Sequence, residues 1–183
     1  MLTNYGRPGD VYRVYEINPL VPPIAQTQFT FYPHTPADKQ ILMGDARLTL
    51  ERQPSQQFDV LSVDAFSSDA IPIHLLTREA VELYFRHLKP RGILAVHVSN
   101  RYLNLLPVCA GAAQYFHKQA MVVSDEADEA AYLNSSTWVL LTSDGGWFNA
   151  PSFSGADMEP AIVPPRFRPW TDDYSNIIQI LKK

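Results

Sequence analysis

The stretch FDVLSVDAFSSDAIPIHLLT, residues 58–77, decides the fold. Its first six residues form a compact apolar run, which is typical of a strand covered on both faces of a sheet. Asp64 follows this run directly, and Asp69 lies further along a loop that contains Pro72. Thr77 then precedes apolar residues at three- and four-residue spacing, which predicts a capped helix. The order strand, acidic loop, helix is the repeating unit of an α/β fold.

The same alternation of strands and helices extends outward from this stretch. Apolar and β-branched runs predict strands at residues 11–17, 40–44, 93–98, 120–124 and 137–142. Helical spacing predicts helices at residues 45–52, 77–88 and 105–117, while a helix at 18–28 conflicts with Pro22 and Pro23. Residues 143–170 form an irregular Pro- and Gly-rich segment, and residues 174–181 a short helix or strand. We expect one domain over residues 1–183, with a mostly parallel sheet and right-handed crossovers.

The composition narrows the class of protein. The chain has 183 residues, of which 46% are hydrophobic and 19% charged, as in soluble globular proteins. A formal net charge of −4 argues against a nucleic-acid-binding face. The one cysteine, Cys109, excludes an internal disulfide and is interpreted as a small buried residue. No apolar run approaches the ~18 residues needed to span a bilayer, so we expect a cytoplasmic protein.

Four polar residues stand at or just after predicted strand ends, where ligands bind in open α/β sheets: Glu16, Asp45, Asp64 and Asn100. At the position of Glu16 a carboxylate can accept hydrogen bonds from both ribose hydroxyls, and a solvated charge is the alternative. Asp45 is favoured as the N-cap of the following helix. Its carboxylate has further lone pairs that could accept from an adenine amino group.

The loop after the strand at 58–63 carries two acids that could bind an ammonium group and take a proton from it. Stabilisation of the loop turn is the alternative for Asp64 and Asp69. Ser67 and Ser68 invite a hydrolase interpretation, but they lack the G-x-S-x-G elbow. The five histidines show no metal-binding spacing, so no metal site is predicted. His97 alone lies near the expected cleft, and a satisfied core histidine is the favoured interpretation.

Five segments, taken in order, resemble the spermidine synthase-like proteins, and more closely the bacterial branch often joined to membrane-spanning segments. They are YRVYEINP (12–19), GDARLTLE (44–51), FDVLSVDAFSSDAIPIHLLT (58–77), HLKPRGILAVHVSNRYLNLLPV (87–108) and WTDDYSN (170–176). The resemblance covers nearly the whole chain. It implies a Rossmann-like, S-adenosylmethionine-dependent methyltransferase-type fold.

The resemblance also implies roles for the strand-end acids. Glu16 matches the acid that holds the ribose. Asp45, with Ala46 beside it, matches the acid of the turn that meets the adenine. Asp64 matches the proposed base on the attacking amine. Asp69 resembles the second acid of that loop, at a spacing two residues longer than in the family.

Two departures from the family pattern affect the expected function. His97 stands where classical members of the family usually have Gln, a difference that bears on the amine substrate. Residues 1–9, MLTNYGRPG, resemble only the end of the helix that follows the family's glycine-rich first turn. The chain is therefore expected to lack the first strand and its turn, as an N-terminally truncated catalytic-type domain. It is expected to catalyse little or no group transfer in this form.

The activity implied is transfer of an aminopropyl group from decarboxylated S-adenosylmethionine to a diamine, with no metal and no prosthetic group. The expected partners are a polyamine and an adenosyl nucleoside, and no nucleic acid. An S-adenosylmethionine-dependent methyltransferase and a non-catalytic nucleoside-binding or interaction domain are the alternatives. The sequence leaves open the amine acceptor and whether the chain forms a homo-oligomer.

Overall fold

The computed structural model describes residues 2–64, 72–128, 130 and 132–182. Its backbone contacts group into two compact units, Met1–Pro54 and Ser55–Lys183, where the sequence analysis expects one domain. Each unit has a sheet of its own.

The first unit is built on a two-stranded parallel sheet. β1 (Val11–Glu16) pairs with β2 (Asp38–Met43), so that the last residues of the two strands, Glu16 and Met43, lie opposite each other. The helices of this unit are α1 (Val21–Thr27), α2 (Phe31–His34) and α3 (Ala46–Glu51). Because parallel strands need a crossover connection, α1 and α2 occupy the chain between β1 and β2.

Helix α1 forms although two prolines in its sequence argued against a helix there. Pro22 and Pro23 lie in its first turn, where backbone N–H groups have no intrahelical acceptor, so the prolines remove no helical hydrogen bond. The chain enters the helix through a turn in which the side chain of Asn18 accepts a hydrogen bond from the backbone N–H of Leu20 at 3.0 Å.

The second unit is built on a five-stranded sheet in the order β3-β4-β6-β5-β7. Its strands are β3 (Phe58–Val63), β4 (Leu88–His97), β5 (Gln119–Asp125), β6 (Ser136–Thr142) and β7 (Asp157–Pro160). Its helices are α4 (Arg78–His87) and α5 (Leu106–Tyr115). The predicted α/β class is confirmed. The sheet is mixed, because β3 and β4 are parallel while β6 runs antiparallel to both β4 and β5.

Three local features of the second unit differ from the sequence analysis. β4 begins at Leu88, directly after α4, whereas the strand was predicted to begin at residue 93. β7 lies inside the segment 143–170 and pairs with β5. β3 is not covered along its whole length, since Val60 in the middle of the strand is 58% exposed.

The core of the second unit lies on the central strands and on α5. Leu94 of β4 and Val139 and Leu141 of β6 are fully buried. Seven of the ten residues of α5 are buried, among them Cys109. Burial raises the pKa of the Cys109 thiol to about 12, so this cysteine stays protonated at neutral pH and behaves as the small core residue that was predicted. Of the helices in the described residues, none has both the length and the apolar character that a bilayer crossing requires.

Candidate functional site

The strongest candidate site lies where three neighbouring strands of the second unit end or begin. Asp64 follows β3 immediately, and it lies beside His97 because Val63 pairs with Val96 in the parallel register. His97, the last residue of β4, lies opposite Trp138 of the antiparallel strand β6. The sheet thus places a carboxylate, an imidazole and an indole side by side at the carboxyl ends of β3 and β4.

The side chains at these strand ends are in direct contact. The Oδ1 atom of Asp64 lies 2.8 Å from Nδ1 of His97. The His97 ring packs on Trp138, with 4.8 Å between the ring centroids. The Asp64 side chain is 58% exposed and the His97 side chain 23% exposed. The favoured prediction of a core histidine is therefore wrong. His97 is partly exposed at the carboxyl end of β4, where it orients the Asp64 carboxylate. Its sequence signals were its place near the expected cleft and, by resemblance, a histidine where classical family members usually have Gln.

In the first unit, Glu16 and Asp45 stand at the carboxyl ends of the two parallel strands. One Glu16 oxygen, Oε1, accepts from the backbone N–H of Asn18 at 2.8 Å, and the half-buried side chain has no hydrogen-bond partner for Oε2 in the described part of the chain. The backbone carbonyl of Glu16 accepts from the N–H of Gly44 at 2.9 Å, which ties the two strand ends together.

Asp45 is the N-cap of α3, as predicted. Its Oδ1 accepts from the backbone N–H of Leu48 at 2.9 Å, and its backbone carbonyl accepts from the N–H of Thr49 at 2.9 Å. Gly44 precedes it with φ near +134°, a backbone conformation that residues other than glycine rarely adopt. The glycine therefore sets the direction in which the chain leaves the strand at Asp45. Ala46 is the first residue of α3. A carboxylate has several lone-pair sites, so capping and a ligand contact are chemically compatible.

The remaining strand-end and loop residues contribute differently. Asn100 holds a turn, since its Oδ1 accepts from the backbone N–H groups of Tyr102 at 2.9 Å and Leu103 at 2.8 Å. Asp69, Ser67 and Ser68 lie outside the described residues. Within the described ranges, no group of three or more His, Cys, Asp or Glu side chains is arranged to hold a metal ion.

Comparison with known proteins gives a sequence relative and a set of structural relatives. No protein-family model matches the chain. A polyamine aminopropyltransferase of Vibrio vulnificus (strain CMCP6) is 34% identical over 86 residues, which is 46% of this chain and 28% of that protein. The chain therefore spans less than a third of this relative's length.

Two solved structures share the fold. A probable spermidine synthase from Corynebacterium glutamicum ATCC 13032 has a TM-score of 0.58 at 19% identity, over 81% of this chain and 57% of that chain. Spermidine synthase from Thermotoga maritima has a TM-score of 0.51 at 15% identity, over 72% of this chain and 45% of that chain. At these identities the structural likeness establishes the fold.

The class defined by this fold is the Rossmann-like, methyltransferase-type α/β fold. Within it, the chain is similar in sequence to a polyamine aminopropyltransferase over part of its length, and in fold to two spermidine synthases.

Proposed function

We propose that the chain is an aminopropyltransferase-like domain, which transfers the aminopropyl group of decarboxylated S-adenosylmethionine to a diamine. The observation that carries the proposal is the exposed Asp64 carboxylate at the end of β3. His97 engages Oδ1 at 2.8 Å, and Oδ2 has no hydrogen-bond partner in the described ranges. A carboxylate fixed through one oxygen can present the other to an ammonium group. The sequence similarity to a polyamine aminopropyltransferase supports the same substrate class.

The chemistry assigned to Asp64 is acceptance of a proton. An alkylammonium loses its proton only near pH ~10, so the amine needs a base before it can attack. The amine nitrogen forms a bond to the carbon beside the sulfonium while the carbon–sulfur bond breaks. Methylthioadenosine leaves as a neutral thioether and needs no proton, and the proton released by the amine passes to Asp64. Such general-base assistance typically contributes ~10²–10⁴-fold.

The nucleoside contacts are proposed for the first unit. By resemblance, Glu16 accepts from the ribose hydroxyls and Asp45 from the adenine amino group, with Ala46 beside it. Each of these acids accepts a hydrogen bond from a backbone N–H, of Asn18 and of Leu48 respectively. Because these bonds fix the carboxylates before a ligand arrives, little side-chain entropy is lost on binding.

The test compares the wild-type chain with Asp64→Asn and with a matched control, Asp59→Asn. Asp59 lies on the same strand, is 79% exposed and pairs with Lys89, so its removal leaves the proposed site intact. The purified proteins are incubated with decarboxylated S-adenosylmethionine and putrescine, and methylthioadenosine and spermidine are followed by mass spectrometry. Long incubations are used, so that slow transfer is also detected.

The expected result is a loss of about 10²-fold or more in Asp64→Asn, with little change in the dissociation constant of methylthioadenosine. Asp59→Asn should retain the wild-type rate. Equal rates in wild type and Asp64→Asn would remove Asp64 from the mechanism. A wild-type chain that binds methylthioadenosine but forms no spermidine would contradict the proposed transfer itself.

A further inference from the structure

A second concave site lies in the second unit and shares no residue with the candidate site. It is a cleft of about 490 Å³, lined by Arg78 at the start of α4, Tyr115 at the end of α5, and side chains between Arg168 and Tyr174. The last of these belong largely to the WTDDYSN segment, to which the proposed function assigns no role.

Two arginines of the cleft are stacked on two tyrosines. The guanidinium carbon of Arg78 lies 4.6 Å from the ring centroid of Tyr115, and that of Arg168 lies 4.1 Å from the ring centroid of Tyr174. Stacking uses the flat face of a guanidinium and leaves the N–H edge of Arg168 able to donate. That edge matches the paired oxygens of a carboxylate or phosphate group. Arg78 donates from Nε and Nη2 to Glu79 and keeps Nη1 for a ligand.

The cleft wall is fixed by hydrogen bonds to the first turn of α4. The backbone carbonyl of Trp170, which is 1% exposed, accepts from the N–H of Arg78 at 2.8 Å. Asp172 accepts from the hydroxyl of Thr77 at 2.7 Å, and its own N–H donates to Glu79 at 3.1 Å. The wall is therefore organised before any ligand binds, which lowers the entropy cost of binding.

A second set of hydrogen bonds fixes the turn that forms part of the cleft wall. Thr171 and Tyr174 exchange reciprocal backbone hydrogen bonds of 2.8 and 3.1 Å, and this turn brings Thr171, Asp173 and Tyr174 into the lining. The ring on which Arg168 stacks is thereby held at a fixed position relative to the chain.

The charged side chains of the cleft comprise one ion pair and two groups without an ion-pair partner in the described residues. Arg78 donates to Glu79, with 2.9 Å between Nη2 and Oε1. Arg168 is exposed and has no carboxylate within ion-pair distance among the described residues, and the same holds for Asp173 toward any cation. An uncompensated guanidinium attracts an anion, while the nearby carboxylate opposes accumulation of several negative charges. The combination fits a ligand with one oxyanion group.

We infer that this cleft binds the carboxylate or phosphate group of a small molecule, with Arg168 as its principal contact and Arg78 as a second donor. A polyamine is not the expected occupant, since its ammonium charges would lie beside the two guanidinium groups. The site is thus chemically distinct from the one proposed for the amine.

The test uses the whole chain labelled with ¹⁵N, with inorganic phosphate and acetate as separate probes in chloride buffer. Arg168→Gln removes the proposed contact, and Asp173→Asn removes the opposing charge. Arg101→Gln is the matched control, because Arg101 also stacks on a tyrosine, Tyr102, but lies outside the cleft. Chemical shifts of the amides in residues 168–174 report binding at the site.

We expect millimolar binding that weakens about tenfold or more in Arg168→Gln, tightens in Asp173→Asn and is unchanged in Arg101→Gln. Binding of acetate as well as phosphate indicates a general oxyanion site, and binding of phosphate alone a phosphate monoester. Equal affinity in wild type and Arg168→Gln, or an absence of saturable shifts in this segment with both probes, overturns the inference. Neither result bears on transfer to putrescine.

Discussion

At the scale of single residues, the contact between Asp64 and His97 couples a carboxylate to an aromatic stack. The His97 ring is held on one face by Trp138 and bonds through Nδ1 to Asp64. A hydrogen bond to an ionised group contributes about 1.5–3 kcal/mol, enough to select one rotamer of an exposed aspartate. His97 is therefore a positioning residue in the proposed reaction.

Two substitutions of His97 separate its donor from its ring. His97→Phe keeps a ring for Trp138 but removes the Nδ1 donor, whereas His97→Gln supplies an amide donor without the ring. If His97 acts by positioning Asp64, the phenylalanine variant should lose about tenfold or more in kcat with little change in KM, and the glutamine variant should lose less. Methylthioadenosine formation with putrescine gives the rates, and thermal melting confirms folding. Faster turnover by the phenylalanine variant than by the glutamine variant would contradict the positioning role.

The positions of the acids could be predicted from the sequence, but the Asp64–His97 pair could not. Asp64 and Glu16 each follow a local apolar run, and the end of such a run is visible in the sequence alone. The two partners of the pair are 33 positions apart, and they meet only because Val63 is in register with Val96. Register between strands depends on packing that a single sequence does not display.

At the scale of elements, the first turn of α3 combines a structural and a proposed binding role in Asp45. Its carboxylate caps the helix through Leu48. Asp45→Ala removes both the cap and the charge, and it should cost about 1 kcal/mol of stability. Asp45→Ser retains a capping oxygen, so its stability should stay within a few tenths of a kcal/mol of wild type.

The two variants should agree in binding although they differ in stability. Both lack the carboxylate proposed to meet the adenine, so both should weaken methylthioadenosine binding by about tenfold or more, as measured by calorimetry. Denaturant unfolding supplies the stability of each variant. Wild-type affinity in Asp45→Ser would mean that Asp45 acts as a helix cap and nothing further.

Elements with local signals were predicted well, and those without such signals were not. α4 begins after Thr77, whose hydroxyl accepts from the N–H of Ala80, and the apolar spacing of its sequence predicted the buried face. β7 carries two acids and ends in a proline, so it has no strand pattern of its own. It exists as a strand because β5 offers it an antiparallel partner, which is a non-local cause.

At the scale of the whole molecule, the α/β class followed from the alternation of elements, but the direction of β6 did not. Strand propensity is the same in either direction, so residues 137–142 predicted a strand without its orientation. The sequence likewise could not indicate that β1 and β2 form a sheet by themselves. Which strands share a sheet is decided by the neighbours available in the folded chain.

The two units should differ in local stability. Of the apolar side chains buried in the described residues, Tyr32, Ala37 and Leu50 belong to the first unit, while the second unit buries all the others, including Leu94 and Val139. A two-stranded sheet with few buried side chains opens at low free-energy cost. Amides of β1 and β2 should therefore exchange with deuterium much faster than those of β4 and β6 under native conditions.

Hydrogen exchange followed by mass spectrometry also tests the proposed nucleoside contacts. A ligand that binds the folded state lowers the population of opened states, so methylthioadenosine should slow exchange in peptides containing Glu16 and Asp45. Glu16→Gln should lose most of that protection, because its carboxylate is the proposed acceptor for the ribose hydroxyls. Peptides of β5 and β6 serve as internal controls and should be unaffected. Equal exchange rates in the sheets of both units would contradict the difference in stability. Protection by methylthioadenosine that persists in Glu16→Gln would contradict only the ribose contact.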